Sequence, residues 1–228
     1  MVVILVITLV ANSGGEKTTT PTQSTPQVTG TTSQSSPSAE PTPTAIPAIR
    51  LSGQGKKATQ SFTVTDGLAV FRSTCSSCSA NFIVTLLDSS GRTKDLLVNT
   101  IGAYDGSKAE GLSAGSYRLN ITGDAAWSVT ITQPRNQPAV ALPQTYEGEG
   151  DQVRGPFDAD HAVEVQGANT GRGNFIVVVL DAEGGTQDLA FNEIGTFNGS
   201  TVSQMFGGGP YYINVTSDGT WTLRLSKP

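Results

Sequence analysis

Apolar and polar residues alternate along several short segments of the chain. Phe82, Val84 and Leu86 are separated by single residues, and the same period of two recurs over residues 127–131 and 221–225. Side chains that alternate in this way point to opposite faces of a β-strand, so each segment predicts a strand with one buried face. Gly, Asp and Asn interrupt these segments roughly every 8 to 12 residues, which is typical of antiparallel sandwiches. The pattern therefore predicts an all-β fold with almost no helix.

The chain contains the same unit twice. Residues 81–107 align with residues 174–200 without a gap, and residues 115–134 match residues 209–228 at their glycine, tyrosine, asparagine, aspartate and tryptophan positions. Self-similarity over segments of this length is what the duplication of a folding unit leaves behind.

The repeat predicts two tandem antiparallel β-sandwich domains, of jelly-roll or Ig-like type, each with roughly seven or eight strands. We expect the domains at residues 50–134 and 146–228, with Trp127 and Trp221 in the middle of their cores. The prolines of residues 135–145 predict a short, stiff linker between them.

The first 49 residues have a different composition. Residues 1–11 form an apolar run that has the length of a signal-peptide hydrophobic region but is shorter than the roughly 20 residues that cross a bilayer as a helix. Residues 12–49 are rich in Ser, Thr and Pro and are expected to be disordered and extended. They are interpreted either as a stalk that lifts the folded part off a membrane or through a cell wall, or as a linker without a specific task. The arrangement predicts an exported protein that is secreted or attached to the cell surface.

The segment LVANSGG at residues 9–15 resembles the lipobox of bacterial lipoproteins, in which a cysteine receives the lipid. Asn12 stands in the place of that cysteine, and an amide cannot form the thioether. Either the resemblance is accidental or the cysteine has been lost or replaced. We expect contact with a membrane only through this N-terminal segment.

Charge excludes one class of partner. The 228-residue chain has a formal net charge of -5 and a pI of about 4.8, and no basic patch is visible in its sequence. Because binding to nucleic-acid phosphates requires clustered Lys and Arg, we expect no nucleic-acid partner.

The sequence gives little support to catalysis. His161 is the single histidine, and no nucleophile motif accompanies it, so we expect a surface turn residue and no enzyme activity. Two acidic sets offer oxygen ligands that calcium could use, namely Asp158 with Asp160, and residues 147–151 with their three carboxylates. Neither set has the spacing of a recognised calcium loop, so a solvated acidic face is favoured and no cofactor or metal is expected.

Cys75 and Cys78 are the only cysteines. An even cysteine count in an exported protein predicts a disulfide, which here would close a loop of the first copy. A redox role would require the pair to open a helix in a βαβ unit, and a zinc site would require two further ligands.

Three aromatic residues are candidates for ligand binding. A sugar-binding surface uses outward-facing aromatic rings with polar groups beside them. The alternation places Tyr212 on the outer face of its strand, and Tyr104 and Phe197 occupy matching loops in the two copies. The alternative is that Tyr104 and Phe197 cap the ends of their sandwiches and that Tyr212 is simply exposed.

The repeated residues carry a resemblance. The pattern N-F-x-V-x-L-x-D-x-x-G, followed by G-x-Y-x-L-N-V-T-x-D-G-x-W, resembles small tandem β-sandwich modules of secreted and surface-attached prokaryotic proteins. It is similar in outline to pre-peptidase C-terminal domains and to jelly-roll carbohydrate-binding modules, over nearly all of residues 52–228. The resemblance rests on glycines, turn residues and core aromatics, and motifs of this kind specify a fold more than a ligand.

Two functions are compatible with these observations. The first is a non-catalytic, exported surface protein whose sandwich modules serve attachment or scaffolding. The second is a carbohydrate-binding protein that recognises an extracellular or cell-wall glycan. The partner would be a surface protein in the first case and a glycan in the second.

Overall fold

The structure is a computed structural model that describes residues 45–228. This part of the chain contains seventeen strands and no helix, so the all-β prediction is confirmed there. None of the described residues belongs to a helix that could span a membrane. The described residues all fall within one compact unit, Thr42–Pro228. The predicted signal-like segment, the Asn12 lipobox position and the predicted stalk up to residue 44 lie outside the described residues.

The strands of the first repeat are β1 (Ile49–Gln54), β2 (Lys57–Ala58), β3 (Phe62–Val64), β4 (Gly67–Cys75), β5 (Asn81–Leu87), β6 (Thr93–Ile101), β7 (Tyr104–Leu112), β8 (Gly115–Thr122) and β9 (Ala126–Thr132). The strands of the second repeat are β10 (Gln144–Glu149), β11 (Gln152–Phe157), β12 (Ala162–Asn169), β13 (Asn174–Leu180), β14 (Thr186–Ile194), β15 (Phe197–Gln204), β16 (Tyr211–Thr216) and β17 (Thr220–Ser226).

Each repeat is a sandwich of two antiparallel sheets. Sheet 1A has the order β1-β9-β4-β7, and sheet 1B has the order β2-β8-β5-β6, with β3 also paired to β8. Sheet 2A has the order β10-β17-β12-β15, and sheet 2B has the order β11-β16-β13-β14. When β2 and β3 are counted as one interrupted strand, both repeats read 1-8-3-6 in one sheet and 2-7-4-5 in the other. This is the strand order of a jelly roll, which decides between the two predicted sandwich types.

The alternation predicted from the sequence fills the two cores. Phe82, Val84 and Leu86 of β5 are fully buried, and Ile83 and Thr85 between them are partly exposed. In the second repeat, Phe175, Val177 and Val179 of β13 are fully buried in one cluster with residues of β12 and β17 from the facing sheet. Burial of one strand face from each sheet is what stabilises a sandwich.

Two tryptophans occupy equivalent places in the cores. Trp127 and Trp221 are each 3% exposed, and their indole N–H groups donate to the backbone oxygens of Gly55 at 3.0 Å and Gly150 at 2.9 Å. Each indole lies directly against a neighbouring strand, where Gly148 contacts Trp221 in the second repeat. A side chain at that glycine would overlap the ring, so the missing Cβ is what allows the tryptophan to fit.

Aspartates hold the turns of both repeats. Asp88 Oδ1 accepts hydrogen bonds from the backbone N–H groups of Ser90 and Arg92, both at 2.9 Å, in the turn between β5 and β6. Asp181 makes the equivalent bonds to Glu183 and Gly185 between β13 and β14. A side chain that bonds to the backbone two residues later is an Asx turn, which explains why the sequence repeats aspartate here.

The loop before β5 is closed differently in the two repeats. Cys75 and Cys78 form a disulfide and are 1% and 5% exposed. By strand register, Asn169 takes the place of Cys75, since Cys75 pairs with the first residue of β7 and Asn169 with the first residue of β15. Its amide donates to the Gly195 oxygen at 2.9 Å and accepts from the Ser217 hydroxyl at 2.8 Å. The loop before β5 is thus held by a disulfide in the first repeat, and the equivalent loop before β13 is held by a buried side-chain amide in the second.

The segment between the repeats is bonded to both of them. The Arg135 guanidinium donates to the backbone oxygens of Asp66 and Leu68 in the first repeat. The backbone N–H of Val140 donates to the Pro156 oxygen at 3.1 Å, and its oxygen accepts from Asp158 N–H at 3.0 Å. Strand β10 begins at Gln144, within the predicted linker range of 135–145. The linker therefore has backbone partners along part of its length.

We predict that Gly148→Ala destabilises the chain by about 1–3 kcal/mol, because a methyl group at this position overlaps the Trp221 ring and the core must shift to admit it. Gly208→Ala is the matched control, since no atom lies within 4 Å of a Cβ at that position. The measurement is urea unfolding followed by tryptophan fluorescence. Equal stability of the two variants would contradict the proposed contact.

Candidate functional site

The two repeats meet where the edge strand of sheet 1A approaches sheet 2B. Strand β7 has β4 on one side only, and its other edge faces the second repeat. The side-chain amide of Asn214, on β16, bonds to this edge: its nitrogen donates to the Ala109 oxygen at 2.9 Å, and its oxygen accepts from the Ala109 N–H at 2.8 Å. One amide thus satisfies both backbone groups that Ala109 presents on the unpaired edge of β7.

Further backbone bonds extend this contact, which we call the junction. Ser107 N–H donates to the Asp151 backbone oxygen at 2.8 Å, and the Ser107 hydroxyl accepts from Val153 N–H at 2.9 Å. At the other end of the junction, Leu68 N–H donates to the Ala182 oxygen at 3.1 Å. The bonds are distributed along the whole contact, so the two repeats have a fixed register.

An apolar cluster lies beside these bonds and contains residues from both repeats. Its buried members are Leu68, Ala109, Leu180 and Tyr212, and Val70, Val153 and Val178 pack against them. These side chains point away from the cores of their own sandwiches and are covered by the other repeat. The junction therefore has a small core of its own, as interfaces between stably associated domains do.

Tyr104 and Asp151 form the polar end of the junction. The Tyr104 hydroxyl donates to Asp151 Oδ2 at 3.0 Å, and the Ser217 N–H donates to Asp151 Oδ1 at 3.1 Å. Burial raises the pKa of Asp151, although both hydrogen bonds act in the opposite direction. Burial, with the charge of Asp151 as a second cause, also raises the pKa of Tyr104 far above its usual range. The carboxylate is therefore held in a place that disfavours its charge.

A polar cleft of 710 Å³ opens beside this pair, and we call it the junction cleft. Its lining comes from both repeats and consists of Asn99, Thr100, Ala103, Tyr104, Asp105, Glu149, Gly150, Asp151, Gln152, Asn174, Thr216, Ser217 and Asp218. No Lys, Arg or His belongs to this lining, so the cleft is acidic.

Some polar groups of the junction cleft are already bonded within the chain, and others are free. Asp218 accepts from the backbone N–H groups of Arg172 and Gly173, and the carboxylate of Asp105 pairs with the Arg72 guanidinium at 2.8 Å. The side chains of four other lining residues make no hydrogen bond to any described residue; they are Asn99, Thr100, Asn174 and Thr216. These amides and hydroxyls can bond a polar, uncharged ligand.

The structure places the three candidate aromatics in different surroundings. Tyr104 is half-buried in the junction cleft, with its ring centroid 5.9 Å from that of Phe82. Tyr212 is on the outer face of β16, as the alternation indicates, but it is 4% exposed because the first repeat covers it. Phe197 packs on the core of the second repeat, with its centroid 4.8 Å from that of Phe191. The three rings do not form one stacking surface.

The remaining sequence candidates lie elsewhere. His161 is exposed beside a hollow of 340 Å³ that Asp158, Asp160 and Lys227 also line. Within residues 45–228, no three His, Cys, Asp or Glu side chains are grouped closely enough to bind a metal ion together.

Comparison with known proteins identifies no family. No protein-family model matches the chain, and no curated protein matches it. Among solved structures, it is similar to the PBSX exported protein XepA, at 10% identity and a TM-score of 0.28 over 78% of this chain and 85% of that one. It is also similar to an F-lectin (fucolectin) from striped bass (Morone saxatilis) serum, at 9% identity and a TM-score of 0.22 over 78% of this chain and 84% of that one. Both TM-scores are too low to carry an argument, and neither protein is described as a pre-peptidase C-terminal domain.

The junction residues were missed by the sequence reasoning. Asn214 is not among the candidate residues named above, and Asp151 stands there only among the three carboxylates of residues 147–151. A signal was nevertheless present, because Tyr212 and Val178 are apolar on outer strand faces where the first repeat has Arg118 and Thr85. Apolar residues at outward positions of one copy alone indicate a face that something covers.

We predict opposite effects for two changes at Asp151. Asp151→Asn removes a charge that burial disfavours and keeps a side-chain oxygen, whereas Asp151→Ala leaves the Tyr104 hydroxyl without an acceptor and costs about 1–3 kcal/mol. Because the pKa of Asp151 is raised on folding, its contribution to stability is fully present below the unfolded-state pKa and is lost as pH rises through the folded-state value. The stability of the Asp151→Asn variant relative to the native chain should therefore increase as pH rises.

The measurement is the thermal unfolding midpoint across the acid to neutral range, with Glu149→Gln as the control for an exposed carboxylate of the same cleft that has no ion pair among the described residues. A difference between Asp151→Asn and the native chain that does not change with pH would contradict this account.

Proposed function

We propose that this chain is a non-catalytic extracytoplasmic protein whose two jelly-roll modules act as one rigid unit for attachment or scaffolding at the cell surface. The junction is the observation that carries the proposal. It joins the repeats through paired backbone bonds and an apolar cluster, so that the modules are not independent binding domains on a free tether. A rigid pair of sandwiches keeps a fixed distance and orientation between what is bound at its two ends.

The fate of the candidate aromatics supports the same proposal. Tyr212 and Tyr104 contribute to the contact between the repeats, and Phe197 contributes to the core of its own module. A module that binds polysaccharide by stacking uses rings on an open face. Here the same residue types hold the unit together.

The sequence of the first 49 residues supports display outside the cytoplasm. An apolar run precedes a Ser/Thr/Pro-rich tract, an order of segments that is typical of exported proteins with a stalk. Display of a rigid unit in this way suits a role in contact with other surfaces.

The test of display is antibody labelling of intact cells of the source organism. An antibody raised against the folded unit should label intact cells as strongly as permeabilised ones, and external protease should remove the signal. Labelling that requires permeabilisation would contradict the proposal. A cytoplasmic protein of the same cells, which should be labelled only after permeabilisation, is the control for membrane integrity.

Glycan binding is the second candidate, and the junction cleft is the observation that favours it. The cleft combines the partly exposed Tyr104 with the free amides of Asn99 and Asn174, and it is large enough for a short saccharide. Amides and hydroxyls beside an aromatic ring are the groups that bind sugar hydroxyls and ring faces.

The second candidate is tested by affinity electrophoresis of the full chain in gels that contain soluble polysaccharides. Retardation by one polymer that is lost in an Asn99→Ala, Asn174→Ala double variant would place glycan binding first. The matched control is Asn81→Ala, Asn192→Ala, which changes the equivalent exposed asparagines of the other repeat. Scaffolding predicts equal mobility for all three proteins in every gel.

A further inference from the structure

The second repeat exposes the edge that the first repeat uses in the junction. Strand β15 has the same place in sheet 2A as β7 has in sheet 1A, and the pairing Glu164–Val202 is equivalent to Val70–Ala109. Ala109 is 2% exposed under Asn214, whereas Val202 is 47% exposed. The edge of β15 is therefore uncovered at Val202, the position equivalent to Ala109, where Asn214 bonds to β7 in the junction.

The first repeat exposes the complementary face. Asn120 on β8 is equivalent to Asn214 on β16, because Asn120 pairs with Ala58 as Asn214 pairs with Val153. Asn120 is exposed, and its side chain has no hydrogen-bond partner among the described residues. One end of the unit thus has the unbonded side-chain amide of Asn120, and the opposite end has the uncovered edge of β15.

We propose that a second copy of this chain binds at this edge, with the first repeat of one molecule docking on the second repeat of the next as the two repeats of one chain dock on each other. Asn120 would then bond to the backbone of Val202 in the neighbouring copy. The contacting surfaces differ, so the contact is heterologous and generates a head-to-tail assembly. The inference goes beyond the proposed display function and does not depend on it.

Two apolar residues of the junction are replaced by opposite charges at the free ends. Val70 and Tyr212 belong to the same apolar cluster of the junction. Their equivalents at the free ends are Glu164 and Arg118, which have opposite charges. The same docking would bring these two charges together, and a pair of opposite charges at an interface favours one partner and one orientation.

A second pair changes in the same way. Tyr104 and Asp151 form the polar end of the junction, and their equivalents are Phe197 and Lys56. The hydroxyl and the carboxylate that accepts its hydrogen bond are both absent at the free ends. An aromatic ring next to an ammonium group is itself a favourable combination.

The serine contact is kept. Ser107 accepts from Val153 N–H in the junction, and its equivalent at the free edge is Ser200, which would face Ala58 of the neighbouring copy. The groups that satisfy backbone atoms are thus retained at the free ends, whereas Val70 and Tyr212 of the apolar cluster are replaced by charges.

One substitution makes the contact between copies weaker than the junction. Gly111 approaches the turn at Glu183 so closely that a Cβ would lie 2.8 Å from the Glu183 backbone oxygen. Gln204 is the equivalent residue of β15, so the docked copies must stand further apart at this end. The assembly is therefore expected to depend on protein concentration.

The test is sedimentation velocity of the full chain over a range of concentrations at low salt. The average mass of the native chain should rise with concentration, and Gln204→Gly should lower the concentration required for assembly. Arg118→Glu and Glu164→Arg should each raise it at least tenfold, and the double variant should restore it. Arg172→Glu, a charge reversal on an exposed residue outside both faces, is the control.

Direction is tested by cross-linking. A mixture of Asn120→Cys and Val202→Cys chains should form a disulfide-linked dimer, and neither variant should form one alone to the same extent. A native chain and a Gln204→Gly variant that both remain monomeric at all concentrations would overturn the proposal. Association that neither charge reversal changes would overturn it as well.

Discussion

The unpaired edge of β7 is the constraint on which the arrangement of the two repeats depends. Its N–H and C=O groups must find partners once the junction is closed to water, and Asn214 provides both at Ala109. Each hydrogen bond contributes about 0.5–1.5 kcal/mol net, whereas full burial of a large apolar side chain contributes about 1.5–3 kcal/mol. Both the hydrogen bonds and the cluster around Tyr212 and Leu180 therefore stabilise the junction substantially, and the amide sets the register in which that cluster can form.

Much of the fold could be predicted from the sequence because it depends on local physics. The alternation around Phe82 and Phe175 determines which strand face is buried, and Asp88 and Asp181 form the turns with residues two and four positions away. The order of strands within each sheet could not be predicted, because pairs such as β1 with β9 join residues from opposite ends of a repeat. The jelly-roll arrangement therefore required the structure.

Alternation alone could not predict the junction, which required a comparison of the two copies. Alternation shows that Tyr212 points away from its own core, but it does not show what lies on the other side. The duplication provides a comparison, because both copies have the same core pattern and differ at Tyr212 and Arg118, or at Val178 and Thr85, on their outer faces. Since the cores impose the same requirements on both copies, such differences report on the outer surroundings of each module.

The direction of these differences follows from what free ends require. A duplicated module begins with two identical faces, but after docking only one copy of each face is buried. An apolar side chain left on the free copy would bind other apolar surfaces without selectivity. Charges such as Arg118 and Glu164 keep the end faces soluble and limit association to partners of opposite charge. Asn120 has the same amide as Asn214, and an amide is compatible with water and with a strand edge alike.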